Sequence, residues 1–346
     1  MSHVGIVIIG RNEGERLRRC LASIPESGGL TVYVDSGSTD GSVELARQMG
    51  AVVVMLDLSM PFSAARARNV GFEKLMDIVQ DMRYVQFVDG DCELASNWLQ
   101  RAVEELEKQP VVAAVCGRLR ERFPETSIYN RLCDMEWNGP VGEISACGGI
   151  AMYRAAAFHD SGGFNPFIVA GEEPELCARL RQKGWRITRI DAEMAMHDAA
   201  MFRFSQWWKR SVRAGHAYAQ NAALHGRAPA RHRVKETRSI TLWGVILPVL
   251  VLGLLWPSGG WSLPLLVAYP LLIGRIYRHM RKRGFSPANS RLYACFCALA
   301  KFPQAIGLLR FHLDRWRSRT PTLIEYKQPV PSTADAAPIV GPASNS

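Results

Sequence analysis

From Val4 to about Val115, short β-branched runs alternate with amphipathic stretches, the pattern of βαβ units built around a parallel sheet. The runs 4–9 (VGIVII), 31–35 (TVYVD), 51–55 (AVVVM) and 84–88 (YVQFV) read as buried strands. Between the first two, Leu17, Leu21 and Ile24 recur at helical spacing and Arg16, Arg18 and Arg19 are left for solvent, so a helix is expected across one face of the sheet. Beyond residue 116 the pattern is less regular, with aromatic and glycine-rich stretches at Trp137-Asn138-Gly139 and Cys147-Gly148-Gly149. Two helices still stand out. One starts at Pro174 and stops at Gly184, a proline-first, glycine-last pairing that suits helix ends. The other runs from about Phe204 to Leu224.

The character then changes. Ser239 to Gly274 is 36 residues without a charge, broken in the middle by Pro257-Ser258-Gly259-Gly260. Its first half, to Trp256, is about 27 Å long as a helix, and the second continues to about Tyr277, so each half just reaches across a bilayer core. Pro248, Pro264 and Pro270 are tolerated better there than in a soluble helix. A third apolar stretch, 291–313, is interrupted by Lys301, Pro303 and Arg310 and reads as a helix lying in the membrane interface. From about Pro329 the chain is rich in proline, alanine and serine, the composition of a disordered tail. The expected division is an α/β domain at 1–230, a membrane-attachment region at 231–328 containing a helical hairpin at 239–277, and a tail at 329–346.

Charge sharpens this division. Residues 1–230 hold 26 Lys/Arg against 28 Asp/Glu, and residues 231–346 hold 16 against 4, so the whole excess of +10 is C-terminal and flanks apolar runs. That placement points to membrane topology and anionic lipid, and no nucleic-acid partner is expected. Basic residues sit on both outer flanks of the hairpin (Arg231, Arg233, Lys235 and Arg238, then Arg275, Arg278, Arg281, Lys282 and Arg283), which places both flanks in the cytoplasm; a re-entrant hairpin fits the same charges. The eight cysteines show no C-x-x-C pairing and several lie among apolar residues, as expected in a reducing compartment without structural zinc. Met1 leads straight into the first strand without a basic leader, so no export signal is expected ahead of the α/β domain.

Candidate chemistry gathers at the strand ends. Asp89-Gly90-Asp91 directly follows the run YVQFV, placing two carboxylates at the carboxyl edge of a parallel sheet, where open α/β folds bind ligands. Hard oxygen ligands suit Mg²⁺ or Mn²⁺, which neutralises the charge left on a departing diphosphate. The segment Asp35-Ser36-Gly37-Ser38-Thr39-Asp40-Gly41 ends the second strand and opens a helix. It serves both as a capping turn and as a site where Asp35 could accept hydrogen bonds from a base or ribose. Arg66 and Arg68 fall on a helix near 63–79. Glu172-Glu173-Pro174-Glu175 puts acids at a helix N-terminus, where the dipole favours the ionised form and hence a carboxylate ready to act as a general base.

Taken in order, Gly10-Arg11-Asn12-Glu13, the VDSGSTDGS turn, Ala67-Arg68-Asn69, Asp89-Gly90-Asp91, Gly148-Gly149 and Gly171-Glu172-Glu173-Pro174-Glu175-Leu176 resemble the family 2 glycosyltransferases of GT-A fold. The likeness covers about residues 4–215. It implies a Rossmann-like α/β domain with a mixed, mostly parallel sheet flanked by helices, to which the transmembrane helical hairpin is added. It also implies that Gly10, Arg11, Glu13 and Asp35 contact the nucleotide of a nucleotide-sugar donor, that Arg68 faces the nucleotide or its diphosphate, and that Asp89 reaches the ribose or a divalent metal. Asp91 would ligate that metal, Mg²⁺ or Mn²⁺, and His197, after the strand-like 186–190, would complete its shell. Glu173 would be the catalytic base, with Glu172 beside it. Two positions depart from the common pattern: Ser36 stands where many relatives carry a second acid, and Glu173 where many carry Asp. Trp207, Trp208, Arg210 and Arg213 fall on a helix beside the site, as sugar-stacking residues or as an amphipathic face toward membrane or core.

The expected function is inverting transfer of a sugar from a nucleotide-sugar to a lipid-linked or saccharide acceptor at the cytoplasmic face of the inner membrane, in polysaccharide or glycolipid synthesis. Transfer directly to a polyprenyl phosphate is the alternative within the fold, and a non-catalytic nucleotide-sugar-binding membrane scaffold is the alternative outside catalysis. Nucleotidyl transfer fits poorly, because Gly10-Arg11-Asn12-Glu13-Gly14 is not the glycine-rich basic loop that cradles a triphosphate.

Overall fold

A computed structural model describes residues 3–60, 62–168, 170–227 and 230–317; the expected tail at 329–346 lies outside them. One mixed sheet forms the centre. Its strands are β1 (Val4–Gly10), β2 (Leu30–Asp35), β3 (Val52–Met55), β4 (Tyr84–Asp89), β5 (Cys92–Leu94), β6 (Val112–Glu121), β7 (Gly142–Ile144), β8 (Ala151–Arg154) and β9 (Arg186–His197). The order is β3-β2-β1-β4-β8-β6-β9-β5, with β7 pairing β9. Strands β1 to β4 are mutually parallel, β8 runs antiparallel to β4 and β6, and β9 is parallel to β6. All four expected strands are present, each within a residue or so of its expected bounds. They are legible because a parallel strand covered by helices on both faces is apolar throughout.

The helices are α1 (Glu15–Ala22), α2 (Ser42–Gln48), α3 (Ala64–Ile78), α4 (Trp98–Lys108), α5 (Ile128–Trp137), α6 (Ala155–Asp160), α7 (Glu172–Gln182), α8 (Phe204–His225), α9 (Val234–Thr241), α10 (Leu247–Leu255), α11 (Ala268–Lys282), α12 (Pro287–Leu299) and α13 (Lys301–Trp316). Leu17 and Leu21 of α1 are buried against the sheet as expected, but Arg16 is buried too. Glu13, one turn ahead, meets its guanidinium at 2.7 Å and lets it fold under the helix start. Helix α7 starts two residues before Pro174. Gly171, at φ 81°, turns the chain into it, and Pro174 sits in the first turn, where no backbone N–H is needed.

Two C-terminal helices are long and apolar enough to cross a membrane: Val234–Leu255, which runs α9 into α10, and Pro287–Trp316, which runs α12 into α13. At 22 residues the first is about 33 Å long, and few of its side chains are buried. Just ahead of Pro248, whose missing N–H interrupts the ladder, it widens into a π turn at Leu242–Ile246. The second arm of the expected hairpin is a 3₁₀ turn, Leu263–Val267, followed by α11, and it turns basic from Arg275 onward. The two arms are tied by Ser262 Oγ donating to the Val251 carbonyl at 2.8 Å and Tyr269 Oη donating to the Trp243 carbonyl at 2.7 Å. At the tip between them Trp256 and Trp261 are 94 % and 83 % exposed. The stretch expected as an interfacial helix at 291–313 is longer than its pattern suggested, because Lys301 and Pro303 do not interrupt it.

This last helix packs on α8 with glycine on both sides of the crossing. A Cβ on Gly307 would lie 2.0 Å from the Val212 carbonyl oxygen, and one on Gly215 would lie 2.0 Å from that of Gln304. Gly244 of the π turn approaches the Lys301 carbonyl in the same way, at 2.3 Å. Backbone in such contact cannot yield as a flexible side chain does. Gly307→Val is therefore expected to lower stability by about 1–3 kcal/mol through overpacking, or to detach α13 from α8. Gly274→Ala, which meets open space, is the control and should leave the unfolding temperature in detergent unchanged.

Candidate active site

The register of the sheet sets the site. Gly10 pairs with Asp35, and Ile9 with Asp89, so the ends of β1, β2 and β4 stand level along one edge. Past Asp89 the chain turns through Gly90 into β5, which pairs antiparallel with β9 so that Cys92 faces His197. His197 is also in register with Glu121 at the end of β6. Residues far apart in sequence are thus brought into one row.

The loops after β1 and β2 are stitched together. Asn12, in the left-handed region at φ 56°, accepts the Thr39 N–H at 2.8 Å and donates its own N–H to Ser38 Oγ at 2.9 Å. Asp35 is 0 % exposed. It accepts from Tyr33 Oη at 3.0 Å and from the N–H groups of Gly37 and Ser38 at 2.9 and 2.8 Å. Of its two expected roles the structure displays the turn. Glu13 turns inward to Arg16 and lies against Gly10 and Gly90, while Arg11 is exposed at the loop tip.

Arg68 is the centre of the second group. Ser63 caps α3 by accepting the Arg66 N–H at 3.2 Å, and the helix then carries Arg68 under the sheet edge, where it is 3 % exposed. Its guanidinium donates to Asp89 Oδ1 at 2.8 Å, Glu172 Oε1 at 2.8 Å and Glu173 Oε1 at 3.3 Å, and it lies 5.5 Å from the Phe164 ring centre. Burial works against this charge, but Asp89, Glu173 and Glu172 outweigh it and raise the pKa of the guanidinium. Arg66, two residues earlier, donates instead to the carbonyls of Met60 and Asp57.

The two glutamates at the start of α7 are not equivalent. Glu172 is buried and takes the shorter bond to Arg68; Glu173 is 14 % exposed with the longer one. Burial, with the neighbouring charge of Glu172, pushes the Glu173 carboxyl up to about 7 despite Arg68. The helix end favours the ionised form, and desolvation with the like charge of Glu172 acts in the opposite direction. A pKa near the working pH is the value at which a general base combines availability with strength.

Alongside stands Asp91, buried, with its Oδ2 3.3 Å from His197 Nε2 and its Oδ1 accepting from Cys92 Sγ at 3.4 Å. Asp91, Cys92 and His197 each offer a ligand atom within 4.8 Å of the others. His197 is seated by Trp137, edge-on at 4.8 Å, and its Nδ1 faces Glu121 at 3.7 Å. Asp89 is not in this trio, being held by Arg68. Trp207 and Trp208 are away from the site, in an apolar cluster with Met135 and Phe296 that joins α8 to the C-terminal helices.

Sequence reading overlooked Tyr33 and Glu121, whose partners lie across the sheet, and it underused Gly149. A Cβ there would lie 2.4 Å from Arg68 Nη2, 2.9 Å from Glu173 Oε1 and 3.3 Å from Asp89 Oδ2.

With this geometry in hand, known proteins supply the class. The family model for glycosyl transferase family 2 matches residues 5–162, a little under half of the chain, so this α/β domain is similar to those of family 2 glycosyltransferases, and its sheet has the GT-A fold. It is 24% identical over 253 residues to the glycosyltransferase AglE of Haloferax volcanii, an alignment covering 69% of this chain and 79% of that one. It is 23% identical over 180 residues to the O-antigen chain rhamnosyltransferase RfbN of Salmonella typhimurium, where it spans 48% of this chain and only 56% of the relative. Among solved structures the mannosyltransferase PcManGT of Pyrobaculum calidifontis, in complex with GDP-Man and Mn²⁺, superposes with a TM-score of 0.55 at 19% identity, covering 91% of this chain and 87% of that one.

Gly149→Ala is expected to displace Arg68 from the carboxylates and lower transferase activity at least tenfold, an order-of-magnitude figure for a misplaced catalytic constellation. Gly148→Ala, whose Cβ meets open space, should retain activity.

Proposed function

We propose that the chain transfers a sugar with inversion from a nucleotide-sugar to a hydroxyl of a lipid-linked or membrane-proximal acceptor, in polysaccharide or glycolipid assembly at the cytoplasmic face of the inner membrane. Residues 1–230 are the catalytic domain, and 231–328 attach it to the membrane. The observation that carries the reading is a partly accessible glutamate poised near neutrality, Glu173, beside a buried cation at the strand edge where this chain's own sequence motifs converge.

The stitched loops 10–14 and 35–41 receive the nucleotide, with Gly10 and Arg11 nearest the opening. Arg68 anchors Asp89, Glu172 and Glu173 and thereby fixes the direction in which Glu173 presents its free oxygen. The Asp91–His197 pair suits a divalent cation of the Mg²⁺ or Mn²⁺ type. A separation of 3.3 Å is close to that of two adjacent ligands on an ion with bonds of about 2.1 Å. When bound, such a cation neutralises charge on the leaving diphosphate. Asp89, partly exposed, is available to it or to the ribose. Cys92, a soft thiol already bonded to Asp91, positions that carboxylate. Glu173 takes the proton from the acceptor hydroxyl as its oxygen attacks the anomeric carbon opposite the diphosphate.

Membrane attachment is supported by the exposed apolar helix Val234–Leu255, the two tryptophans at the hairpin tip and the basic flanks, which by their sign belong on the cytoplasmic side.

Glu173→Gln is expected to lower kcat by about 10²–10⁴-fold and to leave donor binding intact. Since the base works deprotonated, kcat in the native enzyme should be full well above pH 7, half-maximal near the raised pKa of about 7 and lost below it; Glu173→Gln should remove that limb. Undiminished turnover in Glu173→Gln would instead favour a polyprenyl phosphate, already anionic, as the attacking group. Asp91→Ala should abolish metal-dependent donor affinity in a titration with Mn²⁺, and retained affinity would remove the metal assignment. Donor binding without turnover against any acceptor would indicate a scaffold.

A further inference from the structure

Between α8, α9 and the C-terminal helices lies a cavity of about 790 Å³ that the catalytic chemistry does not use. One wall is Ala170-Gly171, the two residues that lead directly into Glu172 and Glu173. The opposite walls come from the apolar helices, through side chains such as Trp243, Leu272, Ile276 and Phe296. Four cations and two carboxylates line it. Both carboxylates are engaged by arginines, Glu136 by Arg210 at 2.8 Å and Glu236 by Arg233 at 2.9 Å. With four cations against two carboxylates, the lining is net positive. Part of its frame is tightly packed: α8, the π turn after α9 and α13 are held together by the glycine contacts of Gly215, Gly244 and Gly307.

We propose that this cavity holds the phosphate or diphosphate headgroup of a long-chain lipid that carries the acceptor. The inference rests on the transferase reading above and names the acceptor class. A cationic pocket walled by apolar helices matches a molecule that is anionic at one point and hydrocarbon beyond it. A soluble saccharide would match neither feature. Charge-assisted bonds from Arg213 and Lys301 would hold the phosphate oxygens, while Arg275, more exposed, would guide the group in from the basic flank. The lipid chain would leave along the exposed face of Val234–Leu255 into the bilayer. Anchored there, the acceptor would project its hydroxyl past Gly171 toward Glu173, so the phosphate serves as a handle and takes no part in the bond change.

The test uses the full chain purified in neutral detergent, with hexadecyl phosphate, hexadecanol and inorganic phosphate as probes, binding being read by native mass spectrometry and calorimetry. Hexadecyl phosphate should bind at least about tenfold more tightly than either of the others, since one charge-assisted contact is a factor of this order. Lys301→Gln and Arg213→Gln should each remove that preference and leave hexadecanol unchanged, and Lys301→Arg should restore it. If a buried variant does not fold, Arg275→Gln, at an exposed position, reads the same loss. Equal binding of hexadecyl phosphate and hexadecanol, or a preference untouched by all three glutamine variants, would overturn the proposal. Inorganic phosphate binding as tightly as the alkyl phosphate would overturn the lipid and leave a free-phosphate site. Nucleotide-sugar affinity is measured on the same samples. A missing alkyl phosphate preference with normal donor affinity removes this inference alone, whereas absent donor affinity removes the transferase reading instead.

Discussion

Arg68 supplies one buried cation to three carboxylates, Asp89, Glu172 and Glu173, and the arrangement of the site follows from that imbalance. A lone guanidinium cannot satisfy three acids equally. Asp89 and Glu172 take the short bonds, and Glu173 is left with the longer one and a proton that is loosely held near neutrality. Breaking a buried pair of this kind typically costs about 3–5 kcal/mol, because the surviving charges are stranded away from water. The cluster therefore joins α3, the end of β4 and the start of α7 into one unit. Gly149 must lack a side chain to let that unit close.

The parts legible in the sequence are those fixed by local pattern. Strands β1, β2 and β4 were readable from continuous apolar runs, and Asp89 and Asp91 from their place directly after one of them. What the sequence hid depends on distance along the chain. The partners of Arg68 lie 21, 104 and 105 residues away, so neither their number nor the resulting shift of Glu173 could be read from spacing. Nothing in the local pattern singles out Glu121, which only the parallel pairing of β6 with β9 sets opposite His197. Arg16 was misplaced for a related reason: periodicity alone sent it to solvent, and only the preceding Glu13 explains its burial.

The C-terminal helices were legible as apolar but not in their packing. Lys301, Pro303 and Arg310 suggested an interrupted stretch, whereas the helix runs through them and lays Gly307 against α8. Lys301 finds its setting in the cavity wall rather than in solvent. This joint matters to the reaction because α8 also contacts the chain leading into α7: Gln220 donates to the Phe167 carbonyl at 2.9 Å, and His225 Nε2 lies 2.7 Å from Glu175. The apolar C-terminal helices and the glutamates are thus connected through α8.

The central claim is that burial among like charges, relieved only in part by Arg68, keeps the Glu173 carboxyl poised near neutrality. Carboxyl ¹³C NMR of the glutamate-labelled protein, assigned by difference against Glu173→Gln, measures this directly. The account predicts one resonance, missing in the variant, that titrates with a midpoint near 7. A Glu173 resonance titrating at the ordinary carboxylate value of about 4.3 would contradict it.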